Sequence, residues 1–480
     1  MTDRTPQPVQ RPRSALFKTL AVGLGLGVLV LLELGLRFST LAPPTREEWS
    51  RENGVISIEH YYSQFSEHFV ILGQGEDGSI CGPSPEHTMH GSSEADAMQP
   101  DQFLCKKPDG VTRIAVLGGS SVQGFMLRDS QTIPSRLEWH LTKAGHSNVE
   151  VINAGVAGYN TLQIRRLVPE LWTFEPDMLV VYAGHNDYTY YPAIEAALKA
   201  SGALRTTRGL GDKLATWRLL RSVARAAGIL PKPRQSTMDR YAGSRPQARA
   251  VFQVDPLAVP RNRSARRQLV QEQHQADENI AAFYEENLTW LDQEARIRGV
   301  DLVMVTPVAR MEWKPSGSVH WKDLDDDELL AWEAIWKGTT QRAQRIAGGA
   351  DPTRQQNLDP EQVTAAMAID DTFADLVFLA ARSAHQQGRT QEAVELYREA
   401  YELTPPTRSD RAPLRHAERV LKLSRRLGRT SVDLRPVVDS NARIPGLPGQ
   451  GLFLDGMHFS VRGADLAARA ISEGISEDWK

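Results

Sequence analysis

Short runs of apolar, often β-branched residues alternate with longer stretches in which apolar positions recur every three or four residues, and this alternation organises the chain from about residue 111 onward. Ile114–Leu117, Val149–Ile152, Met178–Tyr182 and Leu302–Val305 are bounded by turn residues and read as strands. Ile133–Ala144 and Ala276–Gly299 carry the spacing of amphipathic helices. Strands alternating with helices predict an α/β fold, with a parallel sheet covered on both faces and ligands bound at the carboxyl ends of the strands.

A different pattern opens the chain. Thr19–Leu36 is apolar apart from Glu33, with Arg4, Arg11, Arg13 and Lys18 before it and Arg37 after. As a helix this stretch is about 27 Å long, close to the roughly 30 Å of a bilayer's hydrocarbon core. Residues 19–37 are expected to be an N-terminal transmembrane helix, residues 1–18 a cytoplasmic segment, and the remainder extracytoplasmic, because basic residues precede the span and mixed charges follow it. In a bacterium this is a single-pass inner-membrane protein facing the periplasm. A cleaved signal peptide is the rival reading, and it is disfavoured because Pro43 and Pro44 directly follow the small-residue exit. Residues 38–110, rich in proline, glycine and short aromatic stretches, are an extracytoplasmic juxtamembrane region that can add strands to the main domain.

Two stretches interrupt the strand and helix alternation within the domain. Residues 200–265 contain a basic helical piece, Lys213–Ala227, and then Pro231–Arg266, which has no sustained period and reads as a mobile loop or lid edge. Residues 316–430 form a helical insertion in which Phe373–Pro405 makes two amphipathic helices around Gly388, with Ala393 and Ala400 as small packing positions, Tyr397 as a large one and Pro405 as the stop. This hairpin resembles a single tetratricopeptide repeat, although Ala380, Ala381 and Ala384 stand where that repeat usually has larger residues. One repeat cannot bury its own face, so it must pack on Arg411–Leu427 or on the rest of the domain. An ordinary inserted hairpin is the plainer alternative, and a protein partner at these helices is expected only on the repeat reading.

Length and charge narrow the function classes. At 480 residues there is room for about three units, and 41% hydrophobic with 24% charged residues is a globular balance, not that of a multi-span transporter. A net charge of −3 gives no footprint for nucleic acid, and the basic run Arg261–Arg267, lacking aromatics, reads as a solvated loop. Cys81 and Cys105 are the only cysteines and no His-Glu-x-x-His is present, so neither a metal nor another cofactor is expected. In an oxidising compartment the two thiols can close a loop of about 24 residues, worth about 3 kcal/mol; two unrelated buried thiols are equally compatible with the sequence.

The candidate chemistry lies in four blocks. Ser120 follows Ile114–Leu117 and two glycines, which leave its hydroxyl unobstructed at the top of a strand. Gly158 lies in Asn153-Ala154-Gly155-Val156-Ala157-Gly158, and Asn186 in Gly184-His185-Asn186-Asp187. Asp455-Gly456-Met457-His458 brings a carboxylate and an imidazole three positions apart, a spacing that shares a face on a single turn beginning a helix. A serine hydroxyl needs an adjacent base held by a third group, and a tetrahedral intermediate needs hydrogen-bond donors for its oxyanion. Taken singly each block has a bland reading: a Gly-Gly-Ser-Ser turn, an asparagine bonding its own backbone, an N-cap aspartate ahead of an Ala464–Ile475 helix with a surface histidine.

Together the blocks resemble those of the SGNH, or GDSL-type, hydrolases, and more narrowly a membrane-anchored bacterial group with tetratricopeptide helices before the Asp-x-x-His block. The resemblance rests on Leu117–Ser121, Tyr182–Asp187 and Leu452–His458, and covers most of the chain from Arg113 onward, plus the anchor; the hydrolase-type domain is expected over residues 111–315 and 431–480 around the insertion. It implies a flavodoxin-like three-layer α/β/α sandwich, with Ser120 as nucleophile, His458 as base, Asp455 as its orienting partner, and the Ser120 and Gly158 N–H groups with the Asn186 amide as the oxyanion hole. Gly119 stands in place of the acid of the Gly-Asp-Ser form, removing a hydrogen bond that steadies the nucleophile turn, and Phe459 in place of the proline that often follows the histidine. His185 and Asp187 read as positioning residues. The expected function is a tethered esterase that cleaves acyl esters, O-acylated glycans or lipid-like esters, through an acyl-serine intermediate. An O-acyltransferase using the same site and a catalytically vestigial binding protein are the alternatives.

Overall fold

The computed structural model describes residues 68–84, 98–191, 260–347 and 360–478. All of them belong to one compact unit, Phe65–Pro192 with Arg249–Lys480; the second unit, Met1–Gln64 with Ala193–Ala248, lies outside the described residues. The expected anchor at 19–37 and the basic piece Lys213–Ala227 therefore lie outside them as well. Among the described residues no helix is long and apolar enough to cross a membrane.

The first described elements are three strands, β1 (Phe69–Gly75), β2 (Gly78–Pro83) and β3 (Phe103–Leu104), which pair antiparallel as a sheet of their own. The juxtamembrane region was expected to add strands to the main domain; the strands it adds form a separate sheet within the same compact unit, and their side chains reach the main core. Phe69, Met98 and Phe103 join the main core, and the Cys81–Cys105 disulfide joins β2 to the residue that follows β3. Arg113, fully buried, fastens this small sheet to the large one by donating to the carbonyls of Leu104 (2.6 Å) and Phe174 (2.7 Å) while pairing with Glu150 (2.5 Å).

The main sheet is parallel and five-stranded: β4 (Thr112–Gly118), β5 (Val149–Gly155), β6 (Met178–Tyr182), β7 (Asp301–Val305) and β8 (Thr430–Val432), in spatial order β5-β4-β6-β7-β8. Side chains of successive residues point to opposite faces, so each strand feeds two cores. Ala115 and Leu117 pack with α3 (Thr161–Leu171), α5 (Arg263–Arg298) and α10 (Leu414–Leu427). Ile114 and Val116 pack with α2 (Ile133–Lys143), α11 (Leu434–Asn441) and α12 (Val461–Asp478) on the other face. This is the three-layer arrangement that strands buried on both faces require. The sheet order reverses at β4, because α2 carries the chain outward to β5 and α3 carries it back past β4 to β6. Right-handed crossovers in opposite directions place those helices on opposite faces.

Two sequence readings give way in this region. α5 begins at Arg263, not near Ala276, with the Asn262 side chain accepting from Ser264 N and Ala265 N. From Arg263 the basic run is thus the first turns of a helix and not a loop: Arg263 and Arg267 are exposed, as expected, and pair with Asp323, while Arg266 is buried against the Leu324 carbonyl (2.9 Å). Of the expected Pro231–Arg266 loop, Arg263–Arg266 are helical, and the part before residue 260 lies outside the described residues.

The insertion contains α6 (Asp326–Ala347), α7 (Pro360–Ile369), α8 (Ala374–Gln386) and α9 (Thr390–Glu402). Gly388 turns between α8 and α9 with φ +74, a backbone angle that costs glycine little. The hairpin buries Val377, Phe378, Ala381, Ala393, Tyr397 and Ala400 against Ala309, Met311 and Leu447, which lie outside it. Ala381 and Ala384, small where a repeat would carry larger residues, are fully buried.

Candidate active site

The carboxyl ends of the first three strands of the main sheet are level. Gly118 of β4 pairs in register with Gly155 of β5 on one side and Tyr182 of β6 on the other. Ser120, the 156–160 loop and the 183–187 loop therefore leave the sheet along one rim, at the point where the strand order reverses. In doubly wound sheets this crevice is where ligands bind.

Ser120 opens the short helix α1 (Ser120–Gln123) and is partly exposed. Its Oγ lies 2.7 Å from His458 Nε2 across 338 residues of sequence. His458 Nδ1 lies 2.7 Å from Asp455 Oδ2, while Asp455 Oδ1 accepts the backbone N–H groups of Met457 and His458, both at 2.9 Å. Burial alone would raise the Asp455 carboxyl, but the hydrogen bond and charge of His458 and these two backbone donors outweigh it and bring it down to about 2. An ionised Asp455 fixes the tautomer: Nδ1 carries the proton and donates it, and Nε2 accepts from the serine hydroxyl. Phe125 packs against the imidazole, with ring centroids 4.3 Å apart and planes tilted by 31°.

The local backbone of this block differs from the sequence expectation. Asp455 and His458 are not on the first turn of a helix; α12 starts at Val461, with Ser460 Oγ accepting from Gly463 N. The two residues sit in a tight loop closed by the Phe453–Phe459 bridge and by Leu454 N donating to the His458 carbonyl at 2.8 Å. The loop brings the carboxylate beside the ring as a helical turn would, through Asp455 bonding to the two N–H groups that follow it.

Gly158 has φ +83, and a Cβ there would lie 3.5 Å from the Tyr190 hydroxyl. Its loop is fixed by Asn160, whose side chain caps α3 by accepting from Leu162 N and Gln163 N, with Gln163 returning a bond to Asn160 N. Asn186, in the short helix α4 (His185–Thr189), donates one amide hydrogen from Nδ2 to the Tyr159 carbonyl at 2.9 Å. Nδ2 stands directly over Gly119, where a Cβ would approach it to 2.5 Å. The amide thus lies beside the residue preceding Ser120, with its second hydrogen uncommitted to Tyr159.

His185 and Asp187 do not form a dyad. His185 Nδ1 accepts from Ala412 N (3.1 Å), and burial first, then the nearby His458, lowers the ring to about 3, so it stays neutral. Asp187, fully buried, accepts from the Thr161 hydroxyl (2.5 Å) and backbone N (3.2 Å), and burial raises it to about 7. Both hold α4, the first to the 409–412 segment and the second to the start of α3.

Several neighbours of these residues carry no sequence signal. Phe125, the Tyr159 carbonyl and Tyr190 come to the rim through loop geometry, not through a motif. His68 reaches the same loop from the small sheet, with Nε2 2.6 Å from the Tyr159 hydroxyl and Nδ1 2.7 Å from Glu170. Among the described residues no cluster of histidine, cysteine or carboxylate side chains has a metal-binding arrangement.

Residues 116–320 match the model of the GDSL-like lipase/acylhydrolase family. Solved structures to which the chain is similar include the following three. TesA shows 10% identity, with 76% of this chain and 99% of that chain covered and a TM-score of 0.30. A GDSL-like lipase from Bacteroides thetaiotaomicron shows 10% identity, 76% and 89% coverage and a TM-score of 0.29. A catalytic mutant of Axe2, an acetylxylan esterase from Geobacillus stearothermophilus, shows 12% identity, 77% and 96% coverage and a TM-score of 0.32. Among curated proteins no relative matches the chain.

Proposed function

We propose that the protein is a serine esterase that hydrolyses acyl esters through an acyl-serine intermediate. The observation that carries this reading is the unbroken chain Ser120 Oγ, His458 imidazole, Asp455 carboxylate, each contact 2.7 Å. The family match over 116–320 supports ester bonds as the target. His458 Nε2 takes the Ser120 proton as Oγ attacks the ester carbonyl carbon, and Asp455 holds Nδ1–H and stabilises the imidazolium. The carbonyl oxygen becomes an oxyanion that accepts from the N–H groups of Ser120 and Gly158 and from the free hydrogen of Asn186 Nδ2. Collapse breaks the ester C–O bond, and the imidazolium protonates the departing alcohol. Water, deprotonated by the same imidazole, then attacks the acyl-serine carbonyl; collapse breaks the C–Oγ bond, the imidazolium returns its proton to Ser120 Oγ, and the acid leaves.

The finer parts of the reading rest on sequence. Thr19–Arg37 would tether the enzyme to a bacterial inner membrane with the site in the periplasm, where O-acylated glycans or lipid-like esters are the substrates, and the α8–α9 hairpin would be a tetratricopeptide-like unit. Hydrolysis of p-nitrophenyl acetate tests the central part. Wild-type turnover should fall by at least about 10³-fold in Ser120→Ala and in His458→Ala, since such groups act as a unit. Turnover that survives Ser120→Ala contradicts the reading. Adding a glycan acceptor to the same assay separates hydrolysis from acyl transfer.

A further inference from the structure

The helical insertion reaches the candidate site through one short strap, Ser409–Ala412, which precedes α10. On one side the Asp410 carbonyl accepts from the Thr189 hydroxyl (3.0 Å) and Ala412 N donates to His185 Nδ1 (3.1 Å), so the strap grips the helix that carries Asn186. Its other side is occupied by Arg411, only 2% exposed. One arm of that guanidinium donates to the carbonyls of Trp313 (3.0 Å) and Lys314 (3.4 Å). The other arm, Nη1, is buried without a hydrogen-bond partner and lies against Gly456: a Cβ at 456 would stand 2.9 Å from Nη1 and 2.7 Å from the Trp313 ring. The Gly456 carbonyl is meanwhile held by Arg310 N at 2.9 Å. Gly456 is the residue between Asp455 and Met457, so its surroundings determine where the acid and base stand.

A buried guanidinium with an unsatisfied arm is costly, and an apolar side chain of similar size would fill the space without that desolvation. From this placement we infer that Arg411 is a positioning residue for the Asp455–His458 loop, fixing the imidazole relative to Ser120 from the back of the loop. The Tyr401 hydroxyl donates to the Ala412 carbonyl, which ties the strap to α9. The insertion is thereby part of the frame that sets the base, not an appendage to it. This inference rests on the proposed function.

Arg411 is 2% exposed and, among the described residues, its side chain hydrogen-bonds only to the Trp313 and Lys314 carbonyls, so its loss should lower kcat and leave KM in place. In the full chain acting on p-nitrophenyl acetate, Arg411→Met is expected to lose about 10²-fold in kcat, the cost of a misplacement of about 1 Å, with KM within threefold. Arg411→Lys, which keeps the charge and one donor but not the second arm, is expected to lose about tenfold, a partial rescue. Circular dichroism and thermal melting establish that the variants are folded. A folded Arg411→Met with wild-type kcat, or with a change confined to KM, overturns the inference. If Arg411→Met does not fold, Arg411→Lys decides on the same two readings. Ser120→Ala runs alongside: turnover that survives it overturns the proposed function and this inference with it, whereas turnover lost in Ser120→Ala but retained in Arg411→Met overturns the inference alone.

Discussion

Gly119 shows how tightly single positions are specified at the rim. A side chain there would begin 2.5 Å from Asn186 Nδ2 and 3.1 Å from the Tyr159 carbonyl, so the site has no space for the acid found in the Gly-Asp-Ser form. The short amide cannot withdraw without abandoning the carbonyl it donates to. Gly119→Ala is therefore expected to cost about 10²-fold in kcat, the value of one oxyanion donor, with KM altered little; steady-state kinetics with an unchanged kcat would remove Asn186 from the oxyanion hole. Asp187, one residue on, makes a separate prediction about pH. Its carboxyl is raised from an ordinary value near 3.8 to about 7 by burial, so between those values the folded state holds a proton that the unfolded state releases. Its contribution to stability is complete below the unfolded value and is lost as pH rises toward and through 7. Asp187→Asn keeps an oxygen for Thr161 and cannot ionise. The drop in thermal midpoint between pH 5 and pH 8 should shrink in this variant; an unchanged drop would mean that Asp187 does not titrate in that window.

At the scale of elements, what could be read from sequence depended on whether local pattern and tertiary context agreed. Ile114–Leu117 and Met178–Tyr182 were legible because strands buried on both faces are continuous apolar runs, and each extended by only a few residues or none. β8, just Thr430–Val432, offers neither a run nor an alternation, and its place at the sheet edge follows from pairing with β7. The first turns of α5 were misread as a loop because they carry no apolar period; Arg263 and Arg267 do stay exposed, paired with Asp323, and only Arg266 is buried, against the Leu324 carbonyl. Ser120, Gly158, Asn186, Asp455 and His458 were all visible as blocks. The loop that carries the last two was not, because an aspartate bonding the next two N–H groups imitates the start of a helix. Cys81 and Cys105 could be read either way, and only the packing of β1–β3 pairs them. That bond closes a loop with a sequence separation of 24, so replacing both cysteines by serine should cost about 3 kcal/mol in chemical denaturation of this unit. A loss well below 1 kcal/mol would show that the thiols are not joined in the folded protein.

At the scale of the molecule, the fold is a means of bringing distant segments to one rim. Ser120, two residues beyond the first strand of the main sheet, and a loop beyond its last strand meet at 2.7 Å across a sequence separation of 338, and the helical insertion lies within that interval. The sheet supplies level strand ends, the two helical layers bury its faces, and the strap at 409–412 fixes both sides of the meeting point. The central claim is that this meeting makes Ser120 a nucleophile. Its most direct measurement is covalent capture: the full chain is treated with a fluorophosphonate probe and the adduct is located by peptide mass spectrometry. The account predicts a single modified residue, Ser120, with labelling abolished in Ser120→Ala and slowed at least about 10²-fold in His458→Ala. An adduct at another serine, or labelling of Ser120 at an undiminished rate when the imidazole is gone, would contradict it.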